Sequence, residues 1–270
     1  MKKYLLTIGL VYFTACCGNC SEAKDEINWY KPDFNTSWQW QLSGNINTSY
    51  NVELYDIDLF DTNQSTIDNL HNQGKKVICY FSAGSYENWR SDKDKFSSSV
   101  LGNNLDGWAG EKWLDITRLD ILAPIMNSRL DFAKSKKCDG VEPDNVDGYT
   151  NDTGFSLSET DQLNYNKYLA FEAHKRGLSI ALKNDLNQII ELEPYFDFAV
   201  NEQCHQYNEC DKMNPFINAN KPVFNAEYNQ KYIDNNNSER DNMCSSSISN
   251  KLKTLIVPIL LDDNFRISCD

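Results

Sequence analysis

The chain is 270 residues long, 40% hydrophobic and 24% charged. That length suits one domain with a full core, and single barrels of about 250 residues are common. The formal charge of −13 repels phosphates and argues against nucleic acid as a partner, while it suits a cationic partner or plain solubility. Past the first residues no run approaches the roughly 18–20 apolar residues of a membrane span.

The first residues read as an export signal. Lys2 and Lys3 form a positive region, and residues 4–15 an apolar run too short to span a bilayer. Phe13-Thr14-Ala15-Cys16 is similar to a lipoprotein box with Phe where Leu is usual, which makes Cys16 a candidate lipid anchor. Cleavage after Ala23 is the alternative. The expected organisation is a signal peptide at 1–23, a polar lead-in at 24–35 and one domain at 36–270. The product is expected to be secreted or lipid-anchored at the cell envelope, and monomeric.

Of nine cysteines, Cys16, Cys17 and Cys20 lie in or beside the signal, and six remain. An even number behind an export signal argues for disulfides. Six cysteines allow fifteen pairings. The expected one joins Cys204 to Cys210 as a local staple, Cys244 to Cys269 near the C-terminus, and Cys79 to Cys138 between neighbouring strands. With no CxxC among these six and three His in the chain, neither a metal nor a cofactor is expected.

Beyond the lead-in, short apolar runs alternate with polar loops and helical stretches. The strand candidates are 37–42, 52–58, 76–82, 139–145, 178–184, 197–203, 222–228 and 255–262. Between them, 66–73 has apolar residues near helical spacing and stops at Gly74, and 121–133 is a further helix. The clearest helix is 158–176. Ser158 precedes Asp161 as in a capping box with Asp in the Glu position, Leu163, Tyr165, Leu169 and Ala173 follow near helical intervals, and Gly177 ends the run. Strands alternating with helices predict a parallel sheet, and eight strands in one domain predict an α/β fold closed as a (β/α)8 TIM barrel. An open doubly wound sheet is the rival, but it ordinarily has fewer strands and its nucleotide-binding GxGxxG is absent. Segment 85–116 reads as a loop whose Trp89, Trp108 and Trp113 suit the wall of a groove. The Asn/Ser-rich stretch 235–250 reads as a loop before the last helix and strand.

Polar residues gather where these strands end. Asp56 and Asp58 close the second, and Tyr80 and Ser82 the third, with Glu87 and Arg90 beyond. Glu142, Asp144 and Asn145 close the fourth, Lys183 to Asp185 the fifth, and Asn201 and Glu202 the sixth. Glu227 and Tyr228 close the seventh, Asp262 and Asp263 the eighth. Strands leaving the core would explain part of this pattern. In a barrel, however, these ends converge on the face that carries the active site. Side chains alternate along a strand, so Glu142 and Asp144 share a face with Gly140. If that face is the barrel interior, Glu142 needs a cationic or hydrogen-bonding partner, and Lys183 on the next strand is the candidate. Many carboxylates and few His suit glycoside hydrolysis, which needs one carboxyl as nucleophile or base and another as proton donor. A Ser-His-Asp hydrolase is poorly supported without GxSxG. His71 and His174 fall in helical segments as solvated or capping residues, and His205 is a candidate groove residue.

Several runs carry a family resemblance. They are Trp38-Gln39-Trp40-Gln41-Leu42, Tyr55-Asp56-Ile57-Asp58, Cys79-Tyr80-Phe81-Ser82-Ala83-Gly84-Ser85, Glu87-Asn88-Trp89-Arg90 and Trp113-Leu114-Asp115-Ile116. With them go Asp139-Gly140-Val141-Glu142-Pro143-Asp144-Asn145, Leu182-Lys183-Asn184, Asn201-Glu202-Gln203-Cys204, Lys221-Pro222-Val223-Phe224 and Glu227-Tyr228. Together they resemble glycoside hydrolase family 114, described as endo-α-1,4-polygalactosaminidases on a (β/α)8 barrel, over about residues 36–262. The resemblance implies Asp144 as nucleophile and Glu202 as general acid/base. It implies substrate contacts from Asp58, Tyr80, Glu87, Arg90, Lys183, Asn184, Glu227 and Tyr228. Read alone, the residues do not choose Asp144 and Glu202 over Asp58 or Glu227. Segment 235–250 matches none of the motifs.

The function so implied is endo-cleavage of an α-1,4-linked galactosamine-containing polysaccharide, with the acidic face suiting its cationic amino groups and Trp and Tyr of 85–116 suiting its sugar faces. Asp144 would attack the anomeric carbon while Glu202 protonates the leaving oxygen and then activates water. Carboxyl groups ~5 Å apart go with retention, and ~6.5–9.5 Å with inversion. The rival is a catalytically silent carbohydrate-binding or adhesion protein on the same barrel. A deep acidic groove between Asp144 and Glu202 separates the two.

Overall fold

The computed structural model describes residues 28–269; the expected signal peptide and the candidate lipid anchor Cys16 lie outside the described residues. In chain order the strands are β1 (Trp38–Gln41), β2 (Leu54–Asp58), β3 (Lys76–Ser82), β4 (Ser85–Glu87), β5 (Leu101–Asn104), β6 (Glu111–Leu114), β7 (Gly140–Asp144), β8 (Ser179–Lys183), β9 (Phe198–Glu202), β10 (Val223–Glu227), β11 (Lys253–Ile256) and β12 (Ile267–Ser268). The helices are α1 (Gln64–Asn72), α2 (Leu119–Ser135), α3 (Glu159–Lys175), α4 (Ile189–Leu192), α5 (Cys204–Tyr207), α6 (Asn214–Asn218), α7 (Gln230–Asp234) and α8 (Glu239–Ser249).

Eight strands lie parallel in the order β1, β2, β3, β7, β8, β9, β10, β11, and β12 adds antiparallel to β11. The first seven fall within candidate strands of the sequence, and β11 shares only residues 255–256 with the eighth. The sheet curls into an α/β barrel, and its seam between β1 and β11 is stitched by other bonds than a strand ladder. Trp38 Nε1 donates to Lys253 O at 2.9 Å, Arg266 donates to Trp38 O at 2.9 Å, and the Leu42 and Ser43 N–H groups reach Leu261 O at 3.0 and 3.2 Å.

Alternation along the strands builds two cores. Trp38, Trp40, Leu54, Ile78, Ala181, Phe198, Val200, Phe224 and Leu255 fill the barrel interior. Tyr55, Ile57, Val77, Phe81, Val141, Ile180, Leu182 and Val223 face outward, in the same core as Leu70 of α1, Leu122, Met126 and Leu130 of α2, and Leu169 and Ala173 of α3. Burial on both faces is why these strands read as near-continuous apolar runs. The Ser158–Asp161 capping box is complete: Ser158 N–H donates to Asp161 Oδ2 at 2.9 Å, and Asp161 N–H to Ser158 Oγ at 3.2 Å. Gly74 and Gly177 end α1 and α3 at φ +76° and +68°, backbone that glycine adopts without strain. Disulfides join Cys79–Cys138, Cys204–Cys210 and Cys244–Cys269.

Several expectations are corrected. Segment 85–116 is no plain loop: β4 and β5 flank β6 in an antiparallel sheet inserted between β3 and α2. A buried ionic knot anchors it. Arg90 forks Asp58 at 3.0 and 2.7 Å and pairs with Glu87 at 2.8 Å, while Arg129 of α2 grips Asp92 at 2.8 and 2.9 Å. Stretch 235–250 holds α8, whose Ser-rich sequence buries only Met243 and Ser247 and so lacks an apolar stripe. The eighth strand stops at Ile256, and Pro258 follows. Asp263 lies in the return loop, accepting from Gln39, Asn47 and Tyr50 at 3.2, 2.9 and 2.8 Å. His71 and His174 are not solvated caps. Their Nε2 atoms lie 2.8 Å from Asp139 and 2.9 Å from Asp197, and Trp29 of the lead-in stacks on His174 at 4.2 Å.

One glycine ties the inserted sheet to the barrel mouth. Gly84 N–H donates to Asp144 O at 3.0 Å, and a Cβ at Gly84 would stand 1.6 Å from Asn145 O. Gly84→Ala is therefore expected to push these backbones apart and cost about 1–3 kcal/mol or more in chemical denaturation. A loss below about 0.5 kcal/mol would show the contact to be slack.

Candidate active site

Three adjacent strands deliver the charged groups. β7, β8 and β9 end in Asp144, Lys183 and Glu202. The next residues, Asn145, Asn184 and Gln203, take left-handed backbone at φ 59°, 49° and 61°, a region that Asn tolerates better than most side chains. The chain thus leaves the barrel immediately, and the last interior-facing side chain of each strand stays at the mouth.

Lys183 is 2% exposed. Its Nζ lies 3.0 Å from Glu142 Oε1, 3.3 Å from Asp144 Oδ1 and 3.5 Å from Glu202 Oε2, and 4.7 Å from the Trp40 ring centroid. Burial works to discharge this ammonium, but Asp144, Glu142 and Glu202 outweigh it and hold the pKa well above the ordinary lysine range. Beneath it, Asp56 and Glu142 are fully buried. As a carboxylate Asp56 would lack a donor on either oxygen, and Glu142 would lack one on Oε2. A proton on Asp56, shared with Glu142, meets that need. Burial, then the charge of Glu142, pushes Asp56 well above the carboxylate range, and burial pushes Glu142 up to about 7 against the pull of Lys183.

Asp144 and Glu202 are each held by both oxygens. Tyr80 Oη donates to Asp144 Oδ2 at 3.1 Å, and Asn145 N–H to Oδ1 at 2.7 Å. Tyr228 Oη donates to Glu202 Oε1 at 2.5 Å, and Asn184 Nδ2 to Oε2 at 3.1 Å. Burial and the adjacent carboxylates push both tyrosine hydroxyls well above their usual range, so they remain donors. The two legs to the shared Nζ, 3.3 and 3.5 Å, bound the Asp144 Oδ1 to Glu202 Oε2 distance at 6.8 Å. That bound on the two facing oxygens admits the ~5 Å carboxyl spacing of retaining glycosidases.

Over this pair opens a cavity of about 600 Å³. Trp40, Leu42, Ile259 and Leu261 give it an apolar side, while Asp106, Glu111, Asp147 and Asp152 give it acidic groups, with Trp108 and Trp113 from the inserted sheet. Of the sequence candidates, Tyr80, Asp144, Lys183, Asn184 and Glu202 meet here, with Tyr228 behind Glu202. Asp58, Glu87, Arg90 and Glu227 do not line it, which corrects their reading as substrate contacts. The first three are tied together in the ionic knot, two carboxylates on one guanidinium, and are at most 5% exposed. Glu227 is fully buried, accepts the His205 N–H at 2.8 Å, and is pushed up to about 7 by burial. His205 is likewise off the cavity. It lies beside Cys204 and Cys210, whose sulfurs are committed to their disulfide. Trp89 is exposed and lies off this cavity.

Sequence reasoning overlooked Trp40, Glu111 and Asp147 as site residues, and it named Asp56 at a strand end without a role. Asp147 follows Asp144 by three positions, a spacing that signals a second acid on the same loop. Among the described residues no side chain donates to its carboxylate, which burial and then Asp144 push up to about 6. Glu111 accepts from Ser85 Oγ at 2.8 Å, and burial pushes it up to about 7.

These acids imply a pH dependence of stability. Asp147 (about 6), Glu111, Glu142 and Glu227 (about 7) and Asp185 (about 8) are all raised, chiefly by burial. The folded state then binds more protons than the unfolded one between ordinary carboxylate values and these, so stability is fullest below that window and falls as pH rises through it. Tm is expected to decline from about pH 5 to about pH 8, and Glu111→Gln with Glu227→Gln to flatten the curve. A Tm that rises over this span would contradict the assignment.

The chain matches the profile of glycoside-hydrolase family GH114 over residues 20–270. Among solved structures it is similar to Ega3 of Aspergillus fumigatus, crystallised in complex with galactosamine, at 45% identity and a TM-score of 0.82 over 93% of this chain and 100% of that one. The glycoside hydrolase domain of PelA from Pseudomonas aeruginosa shares the fold at 12% identity and a TM-score of 0.67, over 86% and 98% of the two chains. No curated protein matches. With a barrel fold, paired carboxylates at its mouth and a family match across nearly the whole length, the chain belongs to glycoside-hydrolase family GH114.

Proposed function

We propose that this glycoside hydrolase is a secreted, endo-acting enzyme that cuts α-1,4-linked galactosamine-containing polysaccharide with retention of configuration. The observation that carries the reading is the pair Asp144 and Glu202, held by both oxygens and bridged by one ammonium under an acidic cavity. Asp144 attacks the anomeric carbon as the bond to the glycosidic oxygen breaks, and protonated Glu202 gives that oxygen its proton. The glycosyl group is then esterified to Asp144. Glu202, now a carboxylate, takes a proton from water as the water oxygen attacks the same carbon, and the ester bond breaks to restore Asp144. Lys183 faces both carboxylates throughout and offsets the charge that moves between them.

The substrate assignment leans on the similarity to Ega3, which was crystallised with galactosamine. Glu111 and Asp147 on the cavity wall suit its ammonium groups, and Trp40 with Leu42 suits the apolar face of a hexose ring. Three disulfides support an oxidising compartment and hence export.

Incubation with partly deacetylated α-1,4-galactosaminogalactan, with products sized and their anomers followed by NMR, tests this. Wild type is expected to release short oligosaccharides, first as the α-anomer, and Asp144→Asn and Glu202→Gln each to slow release by about 10²–10⁴-fold. Intact polymer, or β-anomer first, would contradict it.

A further inference from the structure

A second cavity, of about 310 Å³, adjoins the first. Asp147, Asn184 and Glu202 line both, so Glu202 stands at the partition. Asp144, Tyr80 and Lys183 line the first alone, and Tyr207 and Lys212 the second alone. In the reaction proposed above, the nucleophile stands at the anomeric carbon of the sugar that becomes bound to the enzyme. The proton donor stands at the oxygen shared with the departing sugar. A cavity that contains the donor and not the nucleophile is therefore on the leaving-group side. We infer that the second cavity seats the departing galactosamine unit, with its ammonium toward Asp147 and its ring against Tyr207. This inference rests on the proposed function.

The lining is built for that occupant. Tyr207 is 61% exposed, a large ring presented to solvent. Its one-turn helix α5 is flanked by left-handed Gln203 and Asn208 at φ 61° and 56° and clamped by the Cys204–Cys210 disulfide, so the ring rests on a braced support. An aromatic face so held is what a sugar ring packs on. Lys212 is paired with Glu209 at 3.1 Å, which blunts the repulsion between its ammonium and that of a substrate. Asp185, on the same lining, is tied to Asn166 at 2.9 Å, and burial pushes it up to about 8, leaving Asp147 as the carboxylate to meet a cation.

The test compares kcat/KM for two substrates: a galactosamine oligosaccharide, and the α-glycosyl fluoride of a shorter one, whose leaving group is a single atom that needs no sugar subsite. Tyr207→Ala and Asp147→Asn are expected to lower the ratio of oligosaccharide to fluoride turnover about tenfold. Phe171→Ala, which removes a comparably exposed ring on α3, is expected to keep it. The ratio is blind to the fraction of each variant that is folded. Wild-type activity with an unchanged ratio in both variants would overturn this inference alone. A wild type inert on both substrates would overturn the proposed function and this inference with it.

Discussion

Among the described residues, Lys183 supplies the one ammonium within ion-pairing distance of Glu142, Asp144 and Glu202. An unpaired charge in that position would cost several kcal/mol on either side of the balance, so the mouth of the barrel is built around its retention. Trp40 lies under the Nζ, and Gly140 keeps β7 close to β8, since a Cβ there would meet Ser179 Oγ at 2.0 Å. Burial and the charge of Glu142 push Asp56 well above the carboxylate range, which disfavours a further negative charge below. The two candidate catalytic groups are then fixed from outside by Tyr80, Asn145, Asn184 and Tyr228.

A second charge cluster does a different task. Arg90 and Arg129 hold Asp58, Glu87 and Asp92 in a dry knot around Phe60 and Phe96. The knot joins β2, the inserted sheet and α2, and so sets where Glu111, Trp108 and Trp113 stand over the cavity. Breaking such a buried pair costs more than its formation contributes. The site thus combines a chemical centre on parallel strand ends with a binding wall on antiparallel strands.

The barrel was legible because strand alternation leaves a plain mark: apolar on both faces, polar where the strand ends. The Glu142–Lys183 pair was legible for a related reason, since a charge on an interior face demands a partner on the adjacent strand. Asp58, Glu87, Arg90 and Glu227 show where this logic stops. Their positions near strand ends are visible in sequence, but whether another buried group consumes their charge depends on contacts such as Arg90 to Asp58, 32 residues apart. The inserted sheet was hidden by its short strands of three and four residues, and α8 by the scarcity of apolar side chains. Asp147 was overlooked because it lies on the loop after β7, where no periodicity reports which way a side chain faces.

The roles of the two carboxylates can be separated by azide rescue of Asp144→Gly and Glu202→Ala on an α-galactosaminide with a good leaving group. With Asp144 as nucleophile and Glu202 as acid/base, azide attacks the substrate directly in the first variant and yields the β-glycosyl azide. In the second it attacks the enzyme-bound ester and yields the α-glycosyl azide. The same anomer from both variants, or the reverse assignment, would contradict the account.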